Sequence, residues 1–565
     1  MDGENMFSHV VCRCLRYSAC ATVHHDRPPS AISEGKPQMS YDLPAALHRP
    51  VFVPDLLLHA LTRHADKPAM YIGDRVLTAG RVRDEISRYQ QAYASLGVVK
   101  GTMVSVLSAN RPEVLFATGC NMLTGCRATP LHPMGSLEDH AYVLADAGVE
   151  ALIYDPGPYG ERAAALKERL PHLKLLAFGP DSGDLGTDLL ALAAKFEPGV
   201  LTPPEVSAED VSGYAYTGGT TGRPKGVMST YRSGVTLPTV QLAEWDWPDE
   251  VRFLVATPLS HAGMSAFIPT LLRGGSIVVL PHFDPKQVLA AIEKYRITAT
   301  MLVPTMLYVL LDHPDLDKYD LSSLETVFYG ASAMSPARLK EGIERLGPIF
   351  FQYYGQAECP MTITVMRRDE HDPNDPARLA SCGRPVPFLT VKLLDEDLNE
   401  VPQGEPGEIC VRGPLVMAGY LNKPEQTEEA LRGGWLHTGD IARADPDGFL
   451  TIVDRKKDMI ITGGFNVFPR EVEDVISAHP AVAAVAVVGV PDDKWGEAVK
   501  AVVVLRPGHE VDPAELIALV KERKGAVQAP KSIDFADTIP LSPLGKPDKK
   551  TLRARYWGEG GRQVN

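Results

Sequence analysis

Short apolar segments alternate with helix-like stretches from about residue 50 to about residue 350, and this alternation constrains the fold more than any other feature. Strands that alternate with helices along a chain are typical of parallel sheets covered by helices. The pattern therefore predicts an α/β body. The strand-like segments on which this rests are 103–108, 151–155, 253–256, 276–280, 299–303 and 326–329, with helix-like 55–64 and 111–123 among them.

The pattern changes after about residue 385. Short strands are predicted at 391–394, 407–412 and 448–453, separated by turns such as 445–448, and such spacing is typical of antiparallel hairpins in a small barrel-like subdomain. A last unit combines helices at 470–478 and 513–524 with strands at 481–490 and 498–505. We therefore predict a large N-terminal domain over 39–454 and a small, mobile α+β domain over 455–565.

The first 38 residues lack the basic start, apolar core and cleavage site of a secretory signal. They are predicted to be a disordered extension, which an over-called start codon would explain, and a docked N-terminal arm is the alternative. A zinc site in this segment is disfavoured, because the candidate ligands do not form two separated pairs. Those ligands are Cys12, Cys14, Cys20, His24 and His25.

Composition excludes several partners. The 565 residues include 57 Lys and Arg against 71 Asp and Glu, a net charge of −14, which disfavours nonspecific binding to nucleic acid or to an anionic membrane. No apolar run reaches the roughly 18–20 residues that a membrane-spanning helix needs. The eight cysteines contain no CxxC pair, which favours reduced thiols and a cytoplasmic location.

The most informative segment, 214–227, has the sequence YAYTGGTTGRPKGV. A strand-like lead-in enters a loop that offers backbone N–H groups, hydroxyl donors and two cations, a combination that suits a polyphosphate. Walker A loops differ, because there the lysine follows glycine and precedes Ser or Thr. The predicted phosphate-binding residues are Thr217, Gly218, Gly219, Thr220, Thr221, Gly222 and Lys225.

Residues 216–227 resemble the phosphate-loop signature of the adenylate-forming superfamily, which contains acyl-CoA synthetases, nonribosomal adenylation domains and beetle luciferases. The resemblance extends from about residue 52 to about residue 555, and the chain looks like a fatty-acid-CoA-ligase-like member of the superfamily. It implies ATP, Mg²⁺ and CoA as cofactors, a small-molecule carboxylic acid as substrate, and a homodimer as one possible assembly.

Further motifs follow in the family's order. Segment 353–358, YYGQAE, resembles the aromatic-Gly-x-Thr-Glu motif, with Ala357 in place of threonine. An aromatic ring beside glycine can stack on a nucleobase, and the Glu358 carboxylate can hold Mg²⁺. Segment 329–333, YGASA, resembles the segment along the adenine and the acyl pocket. The residues implied are Tyr353, Tyr354 and Gly355 in the first segment and Gly330, Ala331 and Ser332 in the second, with Gly330 and Tyr354 also contacting substrate.

The resemblance assigns roles to the C-terminal motifs. In WLHTGD, Asp440 would accept hydrogen bonds from the ribose hydroxyls. In DRKKD, Arg455 would contact ribose or phosphate and Lys457 would be the hinge. Gly463 and Gly464 would line a pantetheine tunnel, and Lys546, in PLSPLGKP, would be the catalytic lysine, with Glu358 and Thr217 as the other catalytic groups.

These roles predict a two-step reaction. A carboxylic acid is activated as acyl-AMP with release of pyrophosphate and is then transferred to the thiol of CoA, so the chain is predicted to be an acyl-CoA synthetase of fatty acid metabolism. His261 would border an acyl pocket among small and apolar neighbours, or else be a structural histidine. The alternatives are adenylation of nitrite to diazotise an aryl amine, loading of a free-standing carrier protein, and a catalytically dead scaffold.

Overall fold

The computed structural model describes residues 49–180, 185–217, 224–455, 458–462, 465–492, 495–541 and 547–557. The predicted extension 1–38, with its disfavoured zinc ligands, lies outside these residues. From Pro50 onward the chain forms one unit, and the boundary at 454/455 stays a prediction. None of the helices in the described ranges combines the length and the apolar character that crossing a bilayer requires.

The described residues contain helices that mostly begin at proline or at a capping side chain. In chain order they are α1 (Val53–Arg63), α2 (Ala79–Ser95), α3 (Pro112–Thr124), α4 (Leu137–Asp146), α5 (Pro156–Arg169), α6 (Leu189–Ala193), α7 (Tyr231–Glu244), α8 (Phe267–Leu272), α9 (Pro285–Tyr295), α10 (Pro304–Leu311), α11 (Pro336–Leu346), α12 (Pro376–Ala380), α13 (Pro424–Ala430), α14 (Pro469–Ser477), α15 (Pro513–Lys524) and α16 (Lys549–Trp557).

The strands are short, as the sequence predicts. In chain order they are β1 (Pro68–Ile72), β2 (Arg75–Thr78), β3 (Met103–Leu107), β4 (Arg127–Pro130), β5 (Ala151–Tyr154), β6 (Lys174–Ala177), β7 (Thr187–Asp188), β8 (Val211–Thr217), β9 (Lys225–Thr230), β10 (Arg252–Val255), β11 (Ser276–Val279), β12 (Ala299–Leu302), β13 (Thr326–Gly330), β14 (Phe350–Gln356), β15 (Cys359–Met366), β16 (Arg384–Pro385), β17 (Thr390–Leu394), β18 (Gly407–Arg412), β19 (Leu436–Ala444), β20 (Leu450–Arg455), β21 (Ile460–Thr462), β22 (Phe465–Val467), β23 (Val482–Asp492), β24 (Gly496–Leu505) and β25 (Ser532–Phe535).

Local chemistry sets the helix ends. Helix α9 begins where the Asp284 side chain accepts the backbone N–H of Gln287 at 2.8 Å, with proline in the first turn, where its missing N–H costs nothing. Helix α4 begins at a similar side-chain cap but without proline: the Ser136 hydroxyl accepts the backbone N–H of Asp139. Helix α3 ends at Gly125, whose φ of 74° lies in the left-handed region that glycine adopts without strain.

The predicted α/β fold class is confirmed. Nine strands form a sheet in the order β16-β15-β14-β13-β12-β10-β11-β1-β2, parallel from β14 to β1 and antiparallel at both edges. Seven strands form a second sheet, β7-β6-β5-β3-β4-β8-β9, in which only the β8–β9 pair is antiparallel. The predicted antiparallel subdomain is the sheet β17-β18-β19-β20.

The C-terminal strands form the sheet β22-β21-β24-β23, with β25 parallel to β24. Strand β23 runs through Pro491 to Asp492, although proline at 491 predicts an earlier end. Proline is tolerated here because β23 is an edge strand of the sheet, so the N–H that proline lacks would have had no further strand to bond. Helix α14 packs on this strand through Val472 and Ile476, both fully buried.

Candidate functional site

Two predicted segments meet at the carboxyl ends of neighbouring parallel strands, where ligands of such sheets usually bind. Gly330 ends β13 and pairs in register with Tyr353 of β14. A Cβ at Gly330 would lie 2.3 Å from the Tyr353 carbonyl oxygen, so glycine is required for the strands to approach. Ala331 follows with a φ of 65°, a conformation rarely adopted by alanine, and Ser332 is half-buried beyond it.

Asp440 of β19 is held by two donors from β14. The hydroxyl of Tyr354 donates to Oδ2 at 2.6 Å, and Nε2 of Gln356 donates to the same oxygen at 2.9 Å. Gln356 also reaches the carbonyl of Thr438 at 2.7 Å. Loss of water around the phenol and the nearby carboxylate raise the pKa of Tyr354 well above its usual value. Tyr354, whose ring the motif assigns to the nucleobase, is therefore hydrogen-bonded to Asp440, whose carboxylate the sequence assigns to the ribose.

Gln356 is a functional candidate that the motif reading did not assign. Positions 354 and 356 lie on the same face of β14, because side chains alternate along a strand. The two-residue spacing between Tyr354 and Gln356 on a predicted strand is the sequence signal that could have identified Gln356. Gly355 lies between them, and a Cβ there would come within 2.3 Å of the backbone nitrogen of Met361.

Tyr353 is placed differently from Tyr354. It is only 3% exposed, and its ring stacks on Trp245 with centroids 5.2 Å apart and planes at 15°. Trp245 also packs against Phe328 and Phe351. The Tyr353 ring therefore belongs to the aromatic core beneath the strand ends.

Tyr420 joins Glu358 to Lys225. Its hydroxyl donates to Glu358 Oε1 at 2.7 Å, while the ammonium of Lys225 lies 4.6 Å from the centre of its ring. Burial and the adjacent carboxylate raise the pKa of Tyr420, so the phenol stays protonated and continues to donate. No sequence motif pointed to Tyr420, because its position beside both residues depends on the tertiary fold.

The strands on both sides of the predicted phosphate loop form a hairpin. Thr217, at the end of β8, pairs in register with Lys225, at the start of β9. The far side of β9 is fixed by the segment 418–421: Met228 N–H donates to the Gly419 carbonyl at 2.9 Å, and Leu421 N–H donates to that of Gly226 at 2.8 Å. The loop residues Gly218, Gly219, Thr220, Thr221 and Gly222 lie outside the described residues.

His261 is exposed, yet loss of water around its imidazole, followed by the neighbouring His132, lowers its pKa to about 4. The two imidazoles meet edge to face with centroids 4.8 Å apart. Burial, followed by His140, also lowers the pKa of His132. Both rings are therefore neutral near pH 7. His132 is a third residue, after Gln356 and Tyr420, that the sequence motifs did not indicate.

The hinge and tunnel motifs are only partly described. Arg455 ends β20, and its backbone lies opposite Asp440 in the β19–β20 register. Thr462 of β21 pairs with Phe465 of β22 on either side of the predicted tunnel glycines. Lys457, Gly463, Gly464 and Lys546 lie outside the described residues, so their roles stay predictions.

The described part of the site offers donors and acceptors for a nucleotide. Asp440 is 4% exposed and carries hydrogen bonds to strand β14, which fixes its orientation. The half-buried Glu358 supplies the hard carboxylate oxygens that Mg²⁺ prefers, and Tyr420 contacts both this carboxylate and the cation of Lys225. These residues fit a magnesium-bound phosphate ester.

Comparison with known proteins gives concordant findings. The chain matches the family model described as AMP-binding enzyme over residues 57–421, and that described as AMP-binding enzyme C-terminal domain over residues 471–546. A medium/long-chain-fatty-acid–CoA ligase of Mycobacterium tuberculosis is 56% identical over 530 residues, which cover 92% of each chain.

Solved structures share the fold. The amide bond synthetase McbA of Marinactinospora thermotolerans is 34% identical with a TM-score of 0.82, and the match covers 89% of this chain and 100% of that one. ATP-bound MatB of Rhodopseudomonas palustris is 28% identical with a TM-score of 0.80, and the match covers 90% of this chain and 99% of that one.

Proposed function

We propose a function on one premise: this chain belongs to the AMP-binding enzyme family. It is an AMP-forming acid–thiol ligase that uses ATP and CoA to convert a carboxylic acid to its CoA thioester. We propose a medium- or long-chain fatty acid as that acid, because the relative that is 56% identical bears this name. The apolar neighbours of His261, among them Ala262 and Met264, support an apolar substrate.

One observation carries the nucleotide part of the proposal, the bond between Tyr354 and Asp440 at 2.6 Å. It links the residue proposed to stack on adenine to the residue proposed to accept the ribose hydroxyls. A carboxylate held in one orientation can accept from two vicinal hydroxyls without first losing rotational freedom. Arg455, opposite Asp440 in the sheet, is proposed to contact the same ribose or its phosphate.

In the first step, a carboxylate oxygen forms a bond to the α-phosphorus, and the bond from that phosphorus to the bridging oxygen of pyrophosphate breaks. Negative charge increases on the phosphate oxygens, so fixed donors and cations there lower the barrier. We assign this task to the Thr217–Lys225 loop and to Lys546. A magnesium ion at Glu358 would neutralise phosphate charge.

In the second step, the thiol sulfur of CoA releases its proton to solvent and bonds to the acyl carbon, and the bond from that carbon to the phosphate oxygen of AMP breaks. We propose that residues 455–565 rotate about Lys457 between the steps, which withdraws Lys546 and brings Gly463 and Gly464 to the site. Such a hinge motion lets one site run two half-reactions.

Two finer points complete the proposal. We propose a cytoplasmic location, since CoA and ATP are available there, and a homodimer as the assembly. Sedimentation velocity of the full chain over a range of concentrations tests the second point, and a single monomer species throughout would contradict it.

The deciding experiment is ATP-dependent pyrophosphate release with fatty acids of increasing chain length, aryl acids, and nitrite with an aryl amine, each with and without CoA. Formation of a fatty acyl-CoA, with AMP and pyrophosphate in equal amounts, is the expected result. Pyrophosphate release that requires nitrite and the aryl amine and is unaffected by CoA would show that the enzyme performs diazotisation instead. If the acyl group is transferred only to a carrier protein, the acceptor is that protein and not CoA. Absence of pyrophosphate release with every acid would support the catalytically dead scaffold.

A further inference from the structure

We infer that Glu408, Cys410 and His437 form a binding site for a thiophilic divalent cation of the zinc class. Each contributes one ligand atom, and the three atoms lie within 4.8 Å of one another. The three ligands belong to strands β18 and β19 of the antiparallel sheet and do not include Glu358, where Mg²⁺ is proposed. The inference depends only on the donors and their geometry and stands independently of the proposed function.

The backbone places all three ligands on one face of the sheet. Cys410 of β18 pairs in register with His437 of β19, so the two side chains are direct cross-strand neighbours. Glu408 lies two residues before Cys410 and therefore points to the same face. The Cys410 sulfur lies 3.5 Å from His437 Nδ1, and that nitrogen lies 3.0 Å from Glu408 Oε2.

The hydrogen bonding of His437 points to a positive charge between these atoms. Its Nε2 lies 3.2 Å from the carbonyl oxygen of Arg432, which can only accept, so Nε2 carries a hydrogen. An unprotonated Nδ1 would then face the Glu408 carboxylate at 3.0 Å as a second acceptor. Two acceptors at this distance repel each other unless a proton or a metal ion lies between them. Metal-binding histidines commonly donate their other ring N–H to a carbonyl in this way.

The mixture of donors selects the class of cation. Zn²⁺ binds thiolate, imidazole and carboxylate together, whereas Mg²⁺ and Ca²⁺ prefer oxygen alone. At bond lengths of about 2.0–2.3 Å, two ligands of tetrahedral zinc lie about 3.3–3.8 Å apart, so the cluster needs only small side-chain shifts. Binding would release the thiol proton of Cys410 to solvent, since the thiolate is the ligand. Three protein ligands leave the fourth position to water.

The cation site is connected to Asp440. Strand β19 bulges between His437 and Ile441, and the bulge contains Gly439, with a φ of 72°, and Asp440. The other oxygen of Glu408, Oε1, accepts the backbone N–H of Gly439 at 2.9 Å. A cation on Oε2 would fix the Glu408 carboxylate while leaving this bond intact. Cation binding would therefore stiffen the segment that positions Asp440.

The three side chains have little contact with solvent. The side chains of His437 and Glu408 are 10% and 11% exposed, and Cys410 is fully buried. A cation would enter along the edge formed by His437 and Glu408. Slow uptake, over seconds or longer after mixing, is therefore expected.

The test is a Co²⁺ titration of the full chain, stripped of metal and without nucleotide, in a Cys12→Ser/Cys14→Ser/Cys20→Ser background that removes the other candidate thiolates. We expect one equivalent to bind with the near-ultraviolet absorption of a cobalt–thiolate bond, and Zn²⁺ to displace it. Cys410→Ser should abolish this absorption. Cys126→Ser, which removes a buried thiol outside the cluster, should leave it unchanged.

A second variant guards against misfolding. Glu408→Gln keeps an oxygen that can accept the Gly439 N–H but weakens the ligand, so Co²⁺ affinity should fall by roughly 10-fold or more. The melting temperature should rise with Zn²⁺ in the parent protein and not in Cys410→Ser. Absence of the cobalt–thiolate absorption in the parent, or its survival in Cys410→Ser, would overturn the inference and leave a plain His437–Glu408 ion pair.

Discussion

The Tyr354 hydroxyl donates to the Asp440 carboxylate across 2.6 Å, joining strand β14 of the nine-stranded sheet to strand β19 of the antiparallel sheet. The two residues come from separate motifs, one proposed to contact the base and the other the ribose. Their bond means that a change at either position alters both contacts.

Replacing Tyr354 with Phe keeps the ring and removes the donor to Asp440. A hydrogen bond to a charged group contributes about 1.5–3 kcal/mol, so the KM for ATP should rise roughly 10- to 100-fold while the KM for CoA changes little. Initial rates with each substrate varied in turn measure this. Tyr556→Phe is the matched control, because it removes a tyrosine-to-aspartate bond of the same 2.6 Å length at Asp534. An equal rise in the KM for ATP in both variants would show that the Tyr354 hydroxyl has no specific role in nucleotide binding.

Replacing Tyr420 with Phe separates the hydroxyl from the ring. The Glu358 carboxylate loses its oriented partner, and the Mg²⁺ concentration for half-maximal activity should rise roughly 10-fold. Tyr420→Leu also removes the ring facing Lys225 and should add a rise in the KM for ATP. Activity measured against free Mg²⁺ and against ATP tests both changes. Identical behaviour of the two variants would show that the ring contributes nothing.

Replacing Lys546 with Ala should lower adenylate formation at least about 100-fold, because a cation that stabilises charge in the transition state would be lost. ATP–pyrophosphate exchange with saturating acid reports this half-reaction alone. Lys550→Ala, an exposed lysine in helix α16, is the control. Near-normal exchange in Lys546→Ala would remove the lysine from the first step.

Replacing Gly464 with Leu should spare adenylate formation and slow thioester formation at least about 10-fold, because a side chain would narrow the proposed path of the thiol. Pyrophosphate exchange measures adenylate formation, and acyl-CoA production measures thioester formation. When both are measured on one preparation, each serves as the control for the other. Equal losses in both would argue against a tunnel at this glycine.

We expect the buried His371 to make the free energy of unfolding depend on pH. Burial lowers its pKa to about 4, and its neutral ring accepts from the Tyr329 hydroxyl and donates to the Arg367 carbonyl. Between about pH 4 and the unfolded value near 6.5, the unfolded chain binds the extra proton, so the free energy of unfolding rises with pH in this window. The contribution is at most about 3 kcal/mol, at 1.36 kcal/mol per pKa unit.

Urea unfolding of wild type and of His371→Gln at several pH values between 4.5 and 7 measures this contribution. The difference between the two should grow as the pH rises and level off above about pH 6.5. A constant difference across the range would mean that His371 does not titrate on unfolding.

The sequence predicted the α/β class and most strands because buried parallel strands are short apolar runs, which need no tertiary information to recognise. Residues 407–412 match β18 at both ends. The predicted strand at 448–453 is instead β20 at 450–455, because the Asp445 side chain holds a turn through the N–H groups of Asp447 and Phe449. Such a local side-chain bond shifts a boundary without changing the hydrophobic pattern.

Motifs in the sequence indicate part of the candidate site, and long-range contacts create the rest. Asp440 and Glu358 stand in motifs that the sequence displays. Tyr420 contacts Glu358 across 62 positions, and His132 meets His261 only after the fold brings their loops together. Neither pairing leaves a local pattern, since side chains distant in sequence have no periodic relationship.

The pairing of β9 with residues 418–421 has a consequence for biosynthesis. During translation, the β8–β9 hairpin leaves the ribosome long before Tyr420 is made, and until then Lys225 has neither this aromatic ring nor its link to Glu358. ATP can stabilise only a chain that already has its binding geometry. Any folding of the large sheets before Tyr420 is made therefore takes place without stabilisation by the nucleotide.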